Sequence, residues 1–472
     1  MTSPVRAAQP SMQVKNSKHA ILILLICAFI SCAWFIIPNP VIVVALALLP
    51  LGALFVVNQT FWFVSLFVLF SFFRIHEAFS VLYSLKIPLL LSLGALAGLS
   101  WHILISRSLK VYWHSSLTWM ALFWLLVIIG IVFASNRGMA VASFKGIYWK
   151  IIIMTLAITW LVNSQIMVKR MSLMIVITGI LISSVALFNS VSGIGLVEGS
   201  RVTIGRDLGS MLGDPNDLAL VLMFPLAFAV SLTMTKQLGF VRVIGLICTV
   251  AAMAAVIATQ SRGGLLGSLA VFGMFGLKYI RSKVLLFTLA VIAAGLLFAL
   301  AGISDRQSGG AAEEGIDASA MGRIYAWQAA FKMALENPLT GVGLDNFYVN
   351  YFYYSPHWDG LNHAVHSTWF GVLAETGFVG LAVFVGLIIS LLRTSRTTIS
   401  KLAQNPTRYS LYLHANVYAV YAGLIGVIVS GTFLTQGFNW PLYILAALAI
   451  SSARIVQNHS QNENQNKHIK DT

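Results

Sequence analysis

The sequence predicts an all-α fold: a polytopic transmembrane helix bundle of roughly 12–14 spans, with one long outer loop that carries an amphipathic helix. Three observations predict it. First, 58% of the 472 residues are hydrophobic and only 10% are charged, more apolar surface than a soluble protein of this length can bury. Second, the apolar residues recur in runs of roughly 17–25, the length that crosses about 30 Å of hydrocarbon. Third, basic residues gather in alternate loops, as the positive-inside rule requires.

The elements follow in chain order. Residues 1–19 are polar and are expected to form a cytoplasmic tail. Ala20–Ile37 runs into Pro38-Asn39-Pro40 and then another apolar stretch, which predicts a first anchor instead of a cleaved leader. Spans are expected near 20–37, 41–57, 60–73, 87–105, 116–134, 147–163, 171–191, 215–235, 240–259, 263–280, 284–302, 367–392, 412–433 and 439–456. Segments 41–57 and 60–73 are short and read either as two spans or as a tilted or re-entrant hairpin. Residues 20–456 thus form one membrane domain, and 457–472, rich in Asn and Gln, are expected to be a disordered cytoplasmic tail. Cys27, Cys32 and Cys248 fall in spans without ligand spacing and read as packing residues.

With the N-terminus cytoplasmic, 19 of the 30 basic residues fall inside with only Glu463 and Asp471, a balance of +17. The other 11 basic residues and 13 acids give −2 outside. The formal charge of +15 is therefore a topology signal and does not imply nucleic-acid binding.

Two outer loops stand out, at about 192–215 and about 303–365. In the second, Gly309-Gly310 marks a flexible stretch. Ala320, Ile324, Trp327, Phe331 and Ala334 then recur at helical steps and predict an amphipathic helix over 319–336, capped by Asp317 or Ser319 and ended by Asn337-Pro338. Aromatics from Phe347 to Trp358 serve either as interfacial anchors or as a sugar-stacking platform.

The polar residues able to carry chemistry lie on this outer side. Arg262 opens a span in Ser261-Arg-Gly-Gly264, where a helix N-terminus beside an arginine attracts phosphate; the alternative is an arginine that snorkels to lipid headgroups. Arg323 sits in the first turns of the amphipathic helix. Arg201 and Arg206 precede Gly213-Asp-Pro-Asn-Asp217, where Asn216 is a cap candidate and the aspartates read as caps or counter-ions. His366 begins a span and can take a proton near neutral pH. Glu375 is nine residues on, about 13 Å deeper along a helix, and so forms no dyad with His366. Several arginines with one titratable base and no acidic metal-ligand cluster suit a pyrophosphate leaving group attacked by a hydroxyl.

Ser261-Arg-Gly-Gly-Leu-Leu266, Gly322-Arg-Ile-Tyr-Ala-Trp327, Asn337-Pro-Leu-Thr-Gly-Val-Gly343, His366-Ser367 and Glu375-x-Gly377-x-x-Gly380 resemble the motifs of the O-antigen ligase/polymerase superfamily. Phe73-Arg-Ile-His-Glu77, Gly213-Asp-Pro-Asn-Asp217 and Ser319-Ala-Met-Gly-Arg323 are more similar to a branch called O-glycosylation ligases, associated with exosortase systems. The resemblance implies an inner-membrane, metal-independent, inverting glycosyltransferase without cofactor. Its donor would be a glycan on undecaprenyl pyrophosphate, handled at the periplasmic face. Its acceptor would be lipid A–core, a protein hydroxyl or a second glycan chain, the last making a polymerase. It also implies catalytic roles for His366, Arg262 and Arg323. Substrate contacts are expected from Arg201, Arg206, Ser367 and Glu375, the last reading also as a group that orients neighbouring helices or pairs with an arginine. Many relatives have Asn where this chain has Ser367. A lipid-linked glycan flippase is the competing class. It requires polar residues at mid-depth along a two-sided cavity, whereas here Glu375 is the main mid-depth charge.

Overall fold

The computed structural model describes residues 39–300, 318–358 and 360–471, with 27, 28, 31, 32, 34 and 35. The expected N-terminal tail, most of the predicted span 20–37 and the Gly309-Gly310 stretch lie outside the described residues. The protein is helical, and among the described residues the extended pairing is a single bridge between Val197 and Arg201.

Every predicted span from residue 41 onward coincides with a helix. These are α1 (Pro40–Asn58), α2 (Thr60–Phe73), α3 (Ile87–Ile105), α4 (Ser115–Phe133), α5 (Arg137–Leu161), α6 (Gln165–Ser192), α7 (Pro215–Met234), α8 (Val241–Ala258), α9 (Arg262–Tyr279) and α10 (Lys283–Leu300). The outer loop contributes α11 (Ala318–Glu336) and α12 (Phe347–Tyr354). α13 (Thr368–Gln404), α14 (Leu411–Gly431) and α15 (Trp440–Asp471) complete the bundle. Nine of the described helices are long and apolar enough to cross a bilayer, or ten with the bent α1–α2 pair. That pair turns through 77° at Gln59, in keeping with the tilted-hairpin reading of 41–73.

α7 is buried on nearly all sides from Leu218 to Leu232 and packs against α8, α9 and α14. A helix that is apolar all round belongs at the centre of a bundle. The periphery is also apolar: Ile128, Val132 and Phe133 on α4 and Leu246, Ile247 and Val250 on α8 are exposed, the pattern of a lipid-facing surface.

α15 continues to Asp471. The chain has no Gly or Pro after Pro441, so nothing local stops the helix. In α11 the buried face is Ala326, Ala329, Ala330, Met333 and Ala334, whereas Ile324 and Phe331, expected inside, are exposed. Small side chains allow α11 to lie close against α13 and α12, and the bulky ones turn outward.

Candidate functional site

Three helix N-termini meet at one end of the bundle. α7 is capped by Asp214, whose Oδ1 accepts from the amides of Asn216 (2.7 Å) and Asp217 (3.3 Å). Of the two cap readings the sequence allowed, the aspartate one holds here, and Asn216 Oδ1 instead accepts from Arg201 and Ser261. α9 is capped by Ser261, whose Oγ accepts from the Gly264 amide at 3.3 Å. The same hydroxyl donates to Asn216 Oδ1 at 2.9 Å, tying α9 to α7. α13 is capped by Ser367, whose Oγ accepts from the Phe370 amide. A helix N-terminus carries roughly half a positive charge and unpaired amides, so convergence of three favours an anion.

The 432–439 loop between α14 and α15 closes the arrangement. Gln436 Nε2 donates to Asp217 Oδ1 at 3.3 Å, and the Gln436 amide donates to Thr368 Oγ1 at 3.0 Å. Thr368 Oγ1 in turn donates to the Leu434 carbonyl at 2.6 Å. Gln436 thus bridges the starts of α7 and α13. Close approach of α9 is permitted by Gly264, where any side chain would begin 2.4 Å from Ala219 Cβ.

Each sequence-predicted residue has a definite place in this frame. Arg262 is the first residue of α9 and is partly buried. Its neighbour Gly263 lies against Phe433, and the Arg323 guanidinium lies 5.9 Å from the Phe433 ring, so this ring is a common neighbour of both segments. Arg323 is one turn before Trp327, on the same face of α11. Trp327 stacks on Phe370 at 5.2 Å and donates Nε1–H to the Val365 carbonyl at 3.1 Å. These contacts pin α11 over the start of α13, and the charge of Arg323 is felt by His366.

His366 itself is partly buried and holds a backbone φ of 44°, a left-handed conformation that is costly for a residue with a Cβ. Burial is the main force lowering its pKa below the ordinary 6.5, and Arg323 adds to it; Asp214 acts in the opposite sense, with His363 and Arg201 as weaker depressing charges. The imidazole is thereby kept neutral at pH 7, the form in which it can accept a proton.

Arg201 is buried at 3% exposure, and its fork is engaged by the protein. Nε donates to the Thr259 carbonyl and an Nη to Asn216 Oδ1, both at 3.1 Å, and Glu198 lies 3.6 Å away. These bonds hold the end of α8 against the start of α7. Arg206 is exposed and donates to the Gly213 carbonyl at 3.1 Å, on the loop that leads to Asp214. It is not among the charges the structure brings to bear on His366. Ser367 is the α13 cap already described.

Glu375 is buried in α13 and is bonded to the outer loop. Its Oε2 accepts from the Asp345 amide at 2.9 Å, while the Ala374 and Glu375 carbonyls accept from the amides of Val342 and Gly343. α13 breaks at Gly377 (φ 70°, ψ −171°), and the Pro338 carbonyl fits into the break, accepting from the Phe378 amide at 2.9 Å. The 337–343 and 375–380 motifs are thus two halves of one lock that fixes the outer loop to α13. A Gly377→Ala substitution would set its Cβ 2.5 Å from the Pro338 carbonyl oxygen, in a backbone conformation nearly confined to glycine. We expect it to destabilise the protein by at least about 1–3 kcal/mol, read as a lowered thermal midpoint in detergent; an unchanged midpoint would mean that the two motifs are not locked.

Sequence reasoning did not single out Gln436 or Phe433. The available signal was the polar break Thr435-Gln-Gly-Phe-Asn439 between two apolar runs, which carries no family motif of its own. Among the described residues no group of three or more His, Cys, Asp or Glu is arranged to hold a metal ion.

No curated protein matches the chain. A family model described as O-antigen ligase matches residues 244–385, a stretch that contains Arg262, Arg323, His366 and the Glu375–Gly377 lock. With the motifs and the helical bundle in agreement, this match supports an O-antigen ligase-like membrane protein of the ligase/polymerase type.

Proposed function

We propose that the protein transfers a glycan from undecaprenyl pyrophosphate to an acceptor hydroxyl at the periplasmic face of the bacterial inner membrane, with inversion and without a metal or cofactor. The observation that carries this reading is the meeting of three helix N-termini with Arg262, Arg323 and a partly buried His366 at one end of an apolar bundle. Arg262 and Arg323 hold the pyrophosphate and stabilise the charge that grows on it as the glycosidic bond breaks. His366 removes the acceptor proton as the hydroxyl oxygen bonds to the anomeric carbon from the opposite side. The pyrophosphate leaves with the bonding electron pair. The charge balance of +17 against −2 supports a periplasmic location for this end.

Acceptor classes consistent with this chemistry are lipid A–core, a protein hydroxyl and a growing glycan; transfer to the last would make the protein a polymerase. Among the described residues the buried charged side chains are Arg201 and Glu375, and both are bound to protein groups, which disfavours a flippase pathway.

Reconstitution tests the reading. The full chain in vesicles is supplied with an undecaprenyl-pyrophosphate oligosaccharide, with and without lipid A–core, a Ser/Thr peptide or excess donor as acceptor. Release of undecaprenyl pyrophosphate that depends on one of these acceptors is expected. Movement of the donor across the bilayer with no bond broken would replace the proposal with the flippase.

A further inference from the structure

A cleft of about 660 Å³ opens on the half of α13 farthest from His366, between that helix, the start of α4 and α15. The transfer reaction does not use it. Along α13 it is lined by Gly386, Ile389, Ser390, Arg393, Thr397 and Lys401. Helical spacing puts these positions on one face. That face changes character along its length. Gly386 and Ile389 are apolar, Ser390 and Thr397 carry hydroxyls, and Arg393 and Lys401 carry positive charge. The floor is tied together by Ser116 of α4, whose Oγ lies 2.9 Å from Ser390 Oγ and 3.1 Å from Thr394 Oγ1. Gly386 lets the Trp119 ring lie against α13, since a Cβ there would begin 2.4 Å from the ring. Trp119 and Ile389 are exposed at the apolar end, and Arg393, Thr397 and Lys401 at the other.

Length, charge and this gradient indicate what the cleft fits. From Gly386 to Lys401 the helix rises about 22 Å. That is close to one leaflet of a bilayer about 40–45 Å thick with its headgroups. No carboxylate lines the cleft among the described residues, so its two cations face a space without counter-charge. A soluble anion has no use for the Trp119 and Ile389 end, and a plain hydrocarbon chain has none for Arg393 and Lys401. A molecule apolar at one end and anionic at the other satisfies both. A second cleft of about 660 Å³, beside Arg454 and Asn458 of α15, repeats the chemistry with Lys110 and again no acid among the described residues. The charge balance of +17 favours this end for the cytoplasm, where leaflet lipids carry negative charge.

We propose that the cleft between α4, α13 and α15 binds an anionic phospholipid of the adjoining leaflet, with its phosphate held by Arg393, Thr397 and Lys401 and its acyl chains against Ile389 and Trp119. The occupant bridges three helices and needs nothing from the transfer chemistry.

Native mass spectrometry of the full chain in detergent tests the site, with dioleoyl phosphatidylglycerol as the anionic probe and dioleoyl phosphatidylcholine as the zwitterionic one. The wild type is expected to hold phosphatidylglycerol about tenfold more tightly than phosphatidylcholine, or better. Arg393→Gln/Lys401→Gln should lose about tenfold or more in phosphatidylglycerol affinity, with an unchanged thermal midpoint in lipid-free detergent. Arg396→Gln, which alters an exposed cation of the same helix outside the cleft, should bind as the wild type does. If the double variant fails to fold, Lys401→Gln alone, at the exposed rim, decides through binding weaker by about threefold or more. Equal affinity for the two lipids, wild-type affinity in the folded cleft variants, or an equal loss in Arg396→Gln overturns the site. Displacement of the lipid by millimolar inorganic phosphate overturns it in favour of a soluble anion.

Discussion

His366→Ala is expected to lower turnover by about 10²–10⁴-fold, the contribution of a well-placed general base. A sugar or serine hydroxyl is a poor nucleophile until its proton leaves in the transition state, and a neutral imidazole is the group here that can take it. The sign of the pH dependence follows from the environment. Burial, then Arg323, hold the His366 pKa below 6.5. The base is active when unprotonated, so activity should persist as pH falls through 6.5 and be lost only below it. Arg323→Gln removes one depressing charge and should move this acid limb upward, whereas Arg323→Lys should leave it in place. His366→Gln retains hydrogen bonding but cannot take the proton. Near-normal turnover with an unchanged pH profile in that variant would exclude the base role.

The second large effect concerns the arginines. Arg262→Lys and Arg323→Lys keep the charge but lose the planar fork that meets two phosphate oxygens at once. Each should reduce transfer tenfold or more, equivalent to at least about 1.4 kcal/mol of transition-state stabilisation. The two residues stand differently in the fold. Arg262 is fixed at a capped helix start between Ser261 and the Gly264 contact. Arg323 depends on Trp327 and its stack on Phe370 to hold α11 in place. Trp327→Ala should therefore weaken transfer in the same direction as Arg323→Lys without touching substrate. Full activity in both lysine variants would remove the arginines from the site.

The helices were legible because apolar runs of membrane length have few other uses, and because Asn337-Pro338 marks the end of α11 in the sequence. The location of Arg262, Arg323 and His366 at one end was also legible, since the alternation of charge sets which loops share a side. Tertiary detail was not. Nothing local distinguishes Arg201, whose fork is used on Thr259 and Asn216, from Arg206, which is exposed. Glu375 was legible as an intramembrane charge, but its partner, a backbone amide 30 residues earlier, was not. The stripe of α11 was misassigned because period alone identifies a face without saying whether small or large residues will be the buried ones. Gln436 was invisible for a related reason: its two partners, Asp217 and Thr368, are distant in sequence and near only in the fold.

The central claim is a division of labour, with arginines binding the pyrophosphate and His366 performing the proton transfer. Binding of undecaprenyl pyrophosphate to His366→Ala and to the Arg262→Lys/Arg323→Lys double variant, measured beside their turnover in the same vesicles, tests it most directly. The account predicts that His366→Ala binds undecaprenyl pyrophosphate as the wild type does but turns over about 10²-fold or more slowly, while the arginine variant loses binding and turnover together. Loss of binding in His366→Ala, or full binding in the arginine variant, would contradict it.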